Sequence, residues 1–462
     1  MRLKKTFPKQ KKNDLGHVIP IEQIEDFNSP VAGHSYSLGC VTFFISLVLN
    51  ATTSLRGASK VIELTSSSLN LSTPTPSWYS GRLWLLRLGL YNLTKPKIQA
   101  EDWVWIVDHS VQIGSEKCLV IVGVRLSFVP FAERSLNHED LEVIELKPVK
   151  KSNGKIVYQQ LEDAVKKTGV PREILGDEGS DLKSGIEEFC EKHKETSRIY
   201  DIKHKTAALL KHELQDDQQW NEFLSLSTKA KQKVQQTTLS FLAPPNQRTK
   251  ARYMNLDILV RWGVRTLLYL DQQKLNPTDK IDPKILQDKF GWLENYRENL
   301  NEWSQMMDVV EVTIALVRKN GLHKGAKTEL EQKLITLGNL TSRTTQLREA
   351  LTSFVVKESS KAKDNEKLVG SSEIIESIFG KLKRIEQNQA KSGFTGLILS
   401  VAALVSNITK ELIQEVLGTI STQDVHEWYQ QNIGESVQGA RRKAFNFNTR
   451  KEQKRDQLLL PT

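Results

Sequence analysis

An α/β core, interrupted by an all-helical insertion and preceded by a small helical module, is the fold class this sequence predicts. Three observations predict it. Between about Glu101 and Asp201 short apolar runs of strand-like period alternate with helical segments. Between about Asp216 and Asp364 the strand signal gives way to helical spacing rich in Lys, Glu and Gln. Ahead of both, from Tyr36 to about Tyr91, the pattern is helical. A chain of 462 residues is long enough for two to four domains with a sizeable core.

Residues 1–30 are polar and basic, a tail with no apolar run close behind it of the kind a signal peptide needs. In the helical module of residues 31–95, an apolar stretch from Val41 to Leu49 precedes a segment from Ser54 to Ile62. A turn rich in Ser, Thr and Pro then leads into Ser77 to Gly89. That last segment has Ser at its start and Gly at its end, the expected punctuation of a short helix. Ser77, Tyr79, Ser80 and Arg82 would project outward, as the recognition helix of a helix-turn-helix requires, and Arg87 follows one turn on. A small helical bundle that only packs on its neighbours fits the same pattern.

The segment 100–215 reads as the first part of the core. Trp103 to Asp108 is a first strand and Lys117 to Val124 a second, joined by a polar stretch with Gly114 that suits a hairpin. Leu141 to Leu146 is a third strand, and Ile156 to Lys167 an amphipathic helix with Val157, Leu161 and Val165 on one stripe. A fourth strand runs into Asp177, a helix covers Asp181 to His193, Ser197 to Asp201 is a fifth strand, and a helix begins near His204. This order is that of the ribonuclease-H-like fold, whose first strand is central and carries a carboxylate facing the end of the fourth. Residues 216–365 form the insertion, 366–435 the second part of the core, and 436–462 a basic tail with Arg441, Arg442, Lys443, Arg450 and Lys451.

A formal net charge of +10 and a pI of about 9.2 point to polyanionic partners. Cys40, Cys118 and Cys190 are far apart, with no CxxC pair and no clustered His, which argues against a zinc finger or a disulfide framework. The apolar runs Val41 to Leu49 and Leu397 to Val405 fall short of the roughly 20 residues that span a bilayer. The expectation is a cytoplasmic protein with no membrane partner.

Three carboxylates carry the chemistry. Asp108 and Asp177 stand at strand ends, and Glu376 sits in the helical segment Ser371 to Lys383. Two Asp and one Glu make a hard-oxygen site for two divalent ions, a set suited to phosphodiester cleavage. Asp181 competes with Asp177 but reads as a helix N-cap, and Glu373 competes with Glu376 but is explained by its place near a helix start. Asp201 and His204 are auxiliary candidates, with a structural hydrogen-bonded pair as the plainer explanation; His109 reads as a surface residue. Ile375, Phe379 and Leu382 form the stripe that anchors the helix. Lys383 lies seven positions after Glu376, on the same face about 10 Å along the axis, where it would grip a phosphate. Trp292 and Trp303 invite a base-stacking role, although most Trp residues of helical domains are core.

Glu376-x6-Lys383, within Ile375-Glu376-Ser377-Ile378-Phe379-Gly380-Lys381-Leu382-Lys383, matches the second half of the Y-x2-R-x3-E-x6-K signature. The chain therefore resembles the DDE transposases of bacterial insertion sequences. It departs from them where Ser372 replaces the expected Arg and Val369 the expected Tyr. The resemblance implies a polynucleotidyl transferase that uses two Mg²⁺ ions (Mn²⁺ substituting) on Asp108, Asp177 and Glu376. It would cleave the terminal repeats of its element and join the freed 3′-hydroxyl to target double-stranded DNA, as a homodimer or larger assembly. Ser77, Tyr79, Arg82, Arg87, Lys381 and Lys383 are the expected DNA contacts. A decayed DNA-binding regulator and a metal-dependent nuclease of the same fold fit the same residues.

Overall fold

The computed structural model describes residues 33–70, 74–113, 116–247, 252–276, 282–387, 396–434 and 443–445. The expected basic N-terminal tail, most of the C-terminal tail and Gly114 lie outside them. The chain divides into two compact units, one of residues 96–378 and one of residues 1–95 with 379–462.

The first unit is built on a mixed five-stranded sheet of order β3-β2-β1-β4-β5. The strands are β1 (Trp103–Ile113), β2 (Glu116–Arg125), β3 (Glu142–Val149), β4 (Glu173–Gly176) and β5 (Ser197–Tyr200). β1 is central: it pairs antiparallel with β2 and parallel with β4. It runs five residues beyond the expected end at Asp108, because β2 continues to pair with it after β4 has stopped. Alternation sends Trp103, Trp105 and Val107 to one face, where they meet Val157, Leu161 and Ala164 of α4 (Gly154–Thr168) and Leu182, Ile186 and Phe189 of α5 (Ser180–Lys192). Asp108 therefore belongs to the opposite face.

After β5 the chain enters α6 (Ile202–Leu214) and the expected helical block: α7 (Gln218–Val234), α8 (Asp257–Leu275), α9 (Pro283–Phe290), α10 (Arg297–Asn320), α11 (Ala326–Ile335) and α12 (Ser342–Ser359). Its core is aromatic. Trp220, Phe223 and Trp303 are fully buried, and Trp292 packs edge-on to Tyr296 with its indole N–H on the Lys289 carbonyl. Trp303 is thus core rather than a stacking platform. The returning segment is tied down at several points. Leu368 exchanges two backbone hydrogen bonds with Leu322, the Val369 N–H donates to the buried Glu173 carboxylate, and Arg172 grips Glu366 through two nitrogens. The Gly370 carbonyl then accepts from Ile202 N–H, which brings the head of α13 (Glu373–Gln387) to the head of α6.

The second unit is helical: α1 (Leu38–Leu49), α2 (Leu55–Leu69), α3 (Trp78–Thr94), α14 (Ser400–Ala403), α15 (Lys410–Thr419) and α16 (Thr422–Asn432). Residues 379–434 pack here, whereas the sequence reading gave 366–435 to the core. α3 is the centre of this unit. It runs through Gly89 to Thr94, since that glycine marks close packing and not a stop: a Cβ there would lie 2.1 Å from the Leu399 carbonyl oxygen. Ser77 and Tyr79 at its head are exposed, whereas from Trp84 to Leu90 every residue of α3 is buried, which corrects the expectation for Arg87 alone. No described helix is long and apolar enough to cross a membrane.

Candidate active site

The parallel register places the carboxylates. Val107 pairs with Gly176, and Gly176 with Tyr200, so Asp108, Asp177 and Asp201 follow in one row just past the last parallel pairs of three adjacent strands, where β4 and β5 end and β1 runs on beside β2. Neighbouring strands are about 4.8 Å apart. Such strand ends, beside a switch from parallel to antiparallel pairing, form a crevice where sheets of this kind place ligands. Glu376 comes from the first turn of α13, near enough for its charge to act on Asp108.

The three Asp have different fates. Asp108 accepts only the His109 N–H, at 2.6 Å, and no Lys or Arg pairs with it among the described residues. Burial, then the Asp177 charge, with Glu376 and Asp201 also contributing, push its carboxyl up to about 7. Asp177 accepts the Gly179 N–H at 2.9 Å. Asp201 is fully buried and used up. It caps α6 by accepting the His204 N–H at 2.7 Å, and its other oxygen accepts the Ser372 N–H at 2.5 Å and Oγ–H at 2.9 Å. One carboxylate thus pins the heads of α6 and α13 together, a structural role, as the plainer sequence reading had it.

That pin sets the surroundings of Glu376. Lys203 Nζ lies 2.9 Å from its Oε2, and His204 Nε2 lies 3.6 Å from its Oε1. The same Lys203 Nζ is 3.2 Å from Glu373 Oε1, and Arg318 Nη1 is 3.0 Å from Glu373 Oε2. Burial opposes the Lys203 charge, but the two glutamates outweigh it and raise its pKa. Among the described residues no three His, Cys, Asp or Glu converge as a ready ion cage. Asp108 and Asp177 nonetheless fit a hard divalent cation in donor type and in their uncompensated charge, while Glu376 is shared with Lys203. A cavity of about 440 Å³ opens against the same helix head, where His138 Nε2 stands 3.1 Å from Ser377 Oγ.

Several expected roles change. Asp181 is not an N-cap: Gly179 holds that position, and Asp181 sits in the first turn of α5, bonded to Lys117 Nζ at 2.8 Å. Burial opposes its charge, but Lys117, Ser152 and His109 hold its pKa down to about 2. His109 is mostly buried rather than on the surface, its pKa lowered chiefly by burial, with Nε2 3.3 Å from Ser152 Oγ. The α13 stripe is Ile375, Ile378 and Leu382, with Phe379 only half-buried. Arg87 is buried and donates Nη2–H to the Leu417 carbonyl at 2.7 Å and Nε–H to that of Ile420, so it is no DNA contact. Ser77 caps α3 through the Ser80 N–H at 3.0 Å, and Tyr79 is exposed beside it. Arg82 is half-buried, with its pKa lowered by burial; Lys383 is exposed and Lys381 half-buried on α13. Cys40 is an inert buried thiol pushed up to about 12, Cys118 is raised further, and Cys190 stands at about 11.

Sequence reading missed Lys203. Its signal was Asp201-Ile202-Lys203-His204, which puts two basic residues in the first turn of a helix capped by Asp201. The positive end of the helix dipole disfavours cations there, and the glutamates of α13 offset that cost.

No protein-family model and no curated protein matches the chain. Among solved structures, the Drosophila P element transposase strand transfer complex is similar to it at a TM-score of 0.37 and 9% identity, covering 84% of this chain and 92% of that one. At that level of similarity the likeness has no bearing on function.

Proposed function

We propose that this chain is a metal-dependent polynucleotidyl transferase acting on DNA, a transposase of DDE type with a ribonuclease-H-like core. The observation that carries the reading is the register of β1 and β4, which makes Asp108 and Asp177 neighbours just past the last parallel pair of the two strands, with no Lys or Arg paired to either among the described residues. Asp108, Asp177 and Glu376 would hold two divalent ions, Mg²⁺ or Mn²⁺. Bound there, the ions would activate a water or 3′-hydroxyl and stabilise the departing oxygen. Asp201 orients Glu376 by fixing the head of α13. The excess of 65 Lys and Arg over 55 Asp and Glu favours a nucleic acid partner. Exposed Tyr79 and Ser77 at the head of α3, with Lys381 and Lys383 on α13, are the proposed backbone contacts. Element ends held in pairs require a homodimer or larger assembly.

The test is incubation with Mg²⁺ or Mn²⁺ and a plasmid carrying the DNA that flanks the protein's own gene, beside Asp108→Ala. Site-specific nicks at the element ends, lost in the variant, support the proposal. Sequence-specific binding without cutting replaces it with a regulator, cutting without end specificity replaces it with a nuclease, and neither binding nor cutting refutes it.

A further inference from the structure

Glu376 differs from Asp108 and Asp177 in having a resident cation. Lys203 Nζ lies 2.9 Å from Glu376 Oε2 and 3.2 Å from Glu373 Oε1, so a single ammonium group bridges two carboxylates of one helix turn. Asp201 binds the N–H of His204 and that of Ser372 at once, which holds the two helix heads, and with them Lys203 and the two glutamates, side by side. We propose that Lys203 is an exchangeable counter-cation, which competes with a divalent ion for Glu376 and withdraws onto Glu373 when the ion binds. The proposal rests on the reading of Asp108, Asp177 and Glu376 as ion ligands.

Three features support exchange over permanent pairing. The ammonium already sits on Oε2, so a divalent ion taken up by Glu376 meets it at the same carboxylate, and like-charge repulsion weakens the Lys203–Glu376 pair. The Lys203 side chain is 18% exposed and would be costly to leave unpaired, yet its second acceptor is already within reach. Arg318 holds the far oxygen of Glu373 at 3.0 Å, which keeps that acceptor in place after the move. Lys203 is therefore a positioning residue, acting through Glu376 and not on substrate, and it makes the third ligand conditional on ion concentration.

Calorimetric Mn²⁺ titration of the full chain, without DNA, tests this. Lys203→Gln removes the competitor and is expected to tighten Mn²⁺ binding about two- to fivefold, the range of one partly exposed ion pair. Lys205→Gln deletes the same charge two residues along α6 without touching Glu376 and should change the affinity less than about twofold, within the smallest of those effects. Glu373→Gln should weaken binding in the native background and have no effect in the Lys203→Gln background, since only a lysine needs the second acceptor. Unchanged or weaker binding by Lys203→Gln overturns the exchange, as does equal tightening by Lys205→Gln or an equal effect of Glu373→Gln in both backgrounds. Identical Mn²⁺ binding by the native chain and Asp108→Asn overturns the ligand reading itself, and the exchange with it.

Discussion

Asp108→Asn is expected to stabilise the ion-free protein at alkaline pH, and the gain should grow with pH. The Asp108 carboxyl rises from its usual 3.8 to about 7 through burial and the neighbouring Asp177 charge. Below about pH 4 the group is protonated folded and unfolded, and it contributes nothing. Between 3.8 and about 7 the unfolded chain gives up the proton while the folded chain keeps it, so stability falls as pH rises. Above about 7 the penalty is complete. A shift of some three units corresponds to a ceiling of about 4 kcal/mol, and partial solvent access to the carboxyl reduces that to about 2 kcal/mol. Asparagine mimics the neutral acid and removes the penalty. Urea unfolding in EDTA at pH 5 and pH 8 measures it, with the variant's advantage widening by about 1–2 kcal/mol between the two. A constant difference, or a variant less stable at pH 8, would mean that Asp108 does not sit among uncompensated carboxylates.

Asp201→Ala should lose about 3 kcal/mol in the same urea assay, because it strips a buried cap and strands the Ser372 and His204 N–H groups. Asp201→Asn, which keeps part of the bonding, should lose less; equal losses would deny the pinning role. Arg87→Met leaves the Leu417 and Ile420 carbonyls without their donors and should destabilise by about 2–4 kcal/mol, while DNA affinity of the folded fraction and its salt slope stay unchanged in gel-shift titrations. Gly81→Ala would place a methyl 2.0 Å from the Phe44 ring and is expected to lower stability by about 1–3 kcal/mol. A melting temperature within a degree of the native chain would show that the helices part freely there.

The sheet was legible because half-buried strands write their period into the sequence. Trp103-x-Trp105-x-Val107 and Leu119-x-Ile121 alternate as one face of a core, and the nearness of Asp108 and Asp177 follows from the pairing of β1 with β4. Helix interiors were legible for the same reason, and their ends were not. Gly89 carries the mark of a stop, yet its missing Cβ serves contact with Leu399. Arg87 looks like a surface cation until its carbonyl partners, some 330 positions away, are known. The assignment of residues 379–434 was hidden for a more general reason. An apolar run such as Leu397 to Val405 reports that it is buried, not against what.

Strand register explains why three acids brought to one row do different work. Register alone would make Asp108, Asp177 and Asp201 equivalent, and charge repulsion would then oppose the fold at neutral pH. The third strand resolves the conflict: β5 ends directly in α6, so Asp201 meets backbone N–H groups of α6 and α13 and its charge is met by dipoles. β1 runs on past Asp108 beside β2 and offers it no helix head, leaving that charge without a partner. The turn after Asp177 supplies a single N–H. The chain thus spends one carboxylate on holding Glu376 near the other two, and keeps uncompensated the pair that a divalent ion would neutralise. An ion bound there should therefore act as a stability ligand as well as a reagent. Mn²⁺ would raise the unfolding midpoint of the native chain and leave that of Asp108→Asn nearly unmoved.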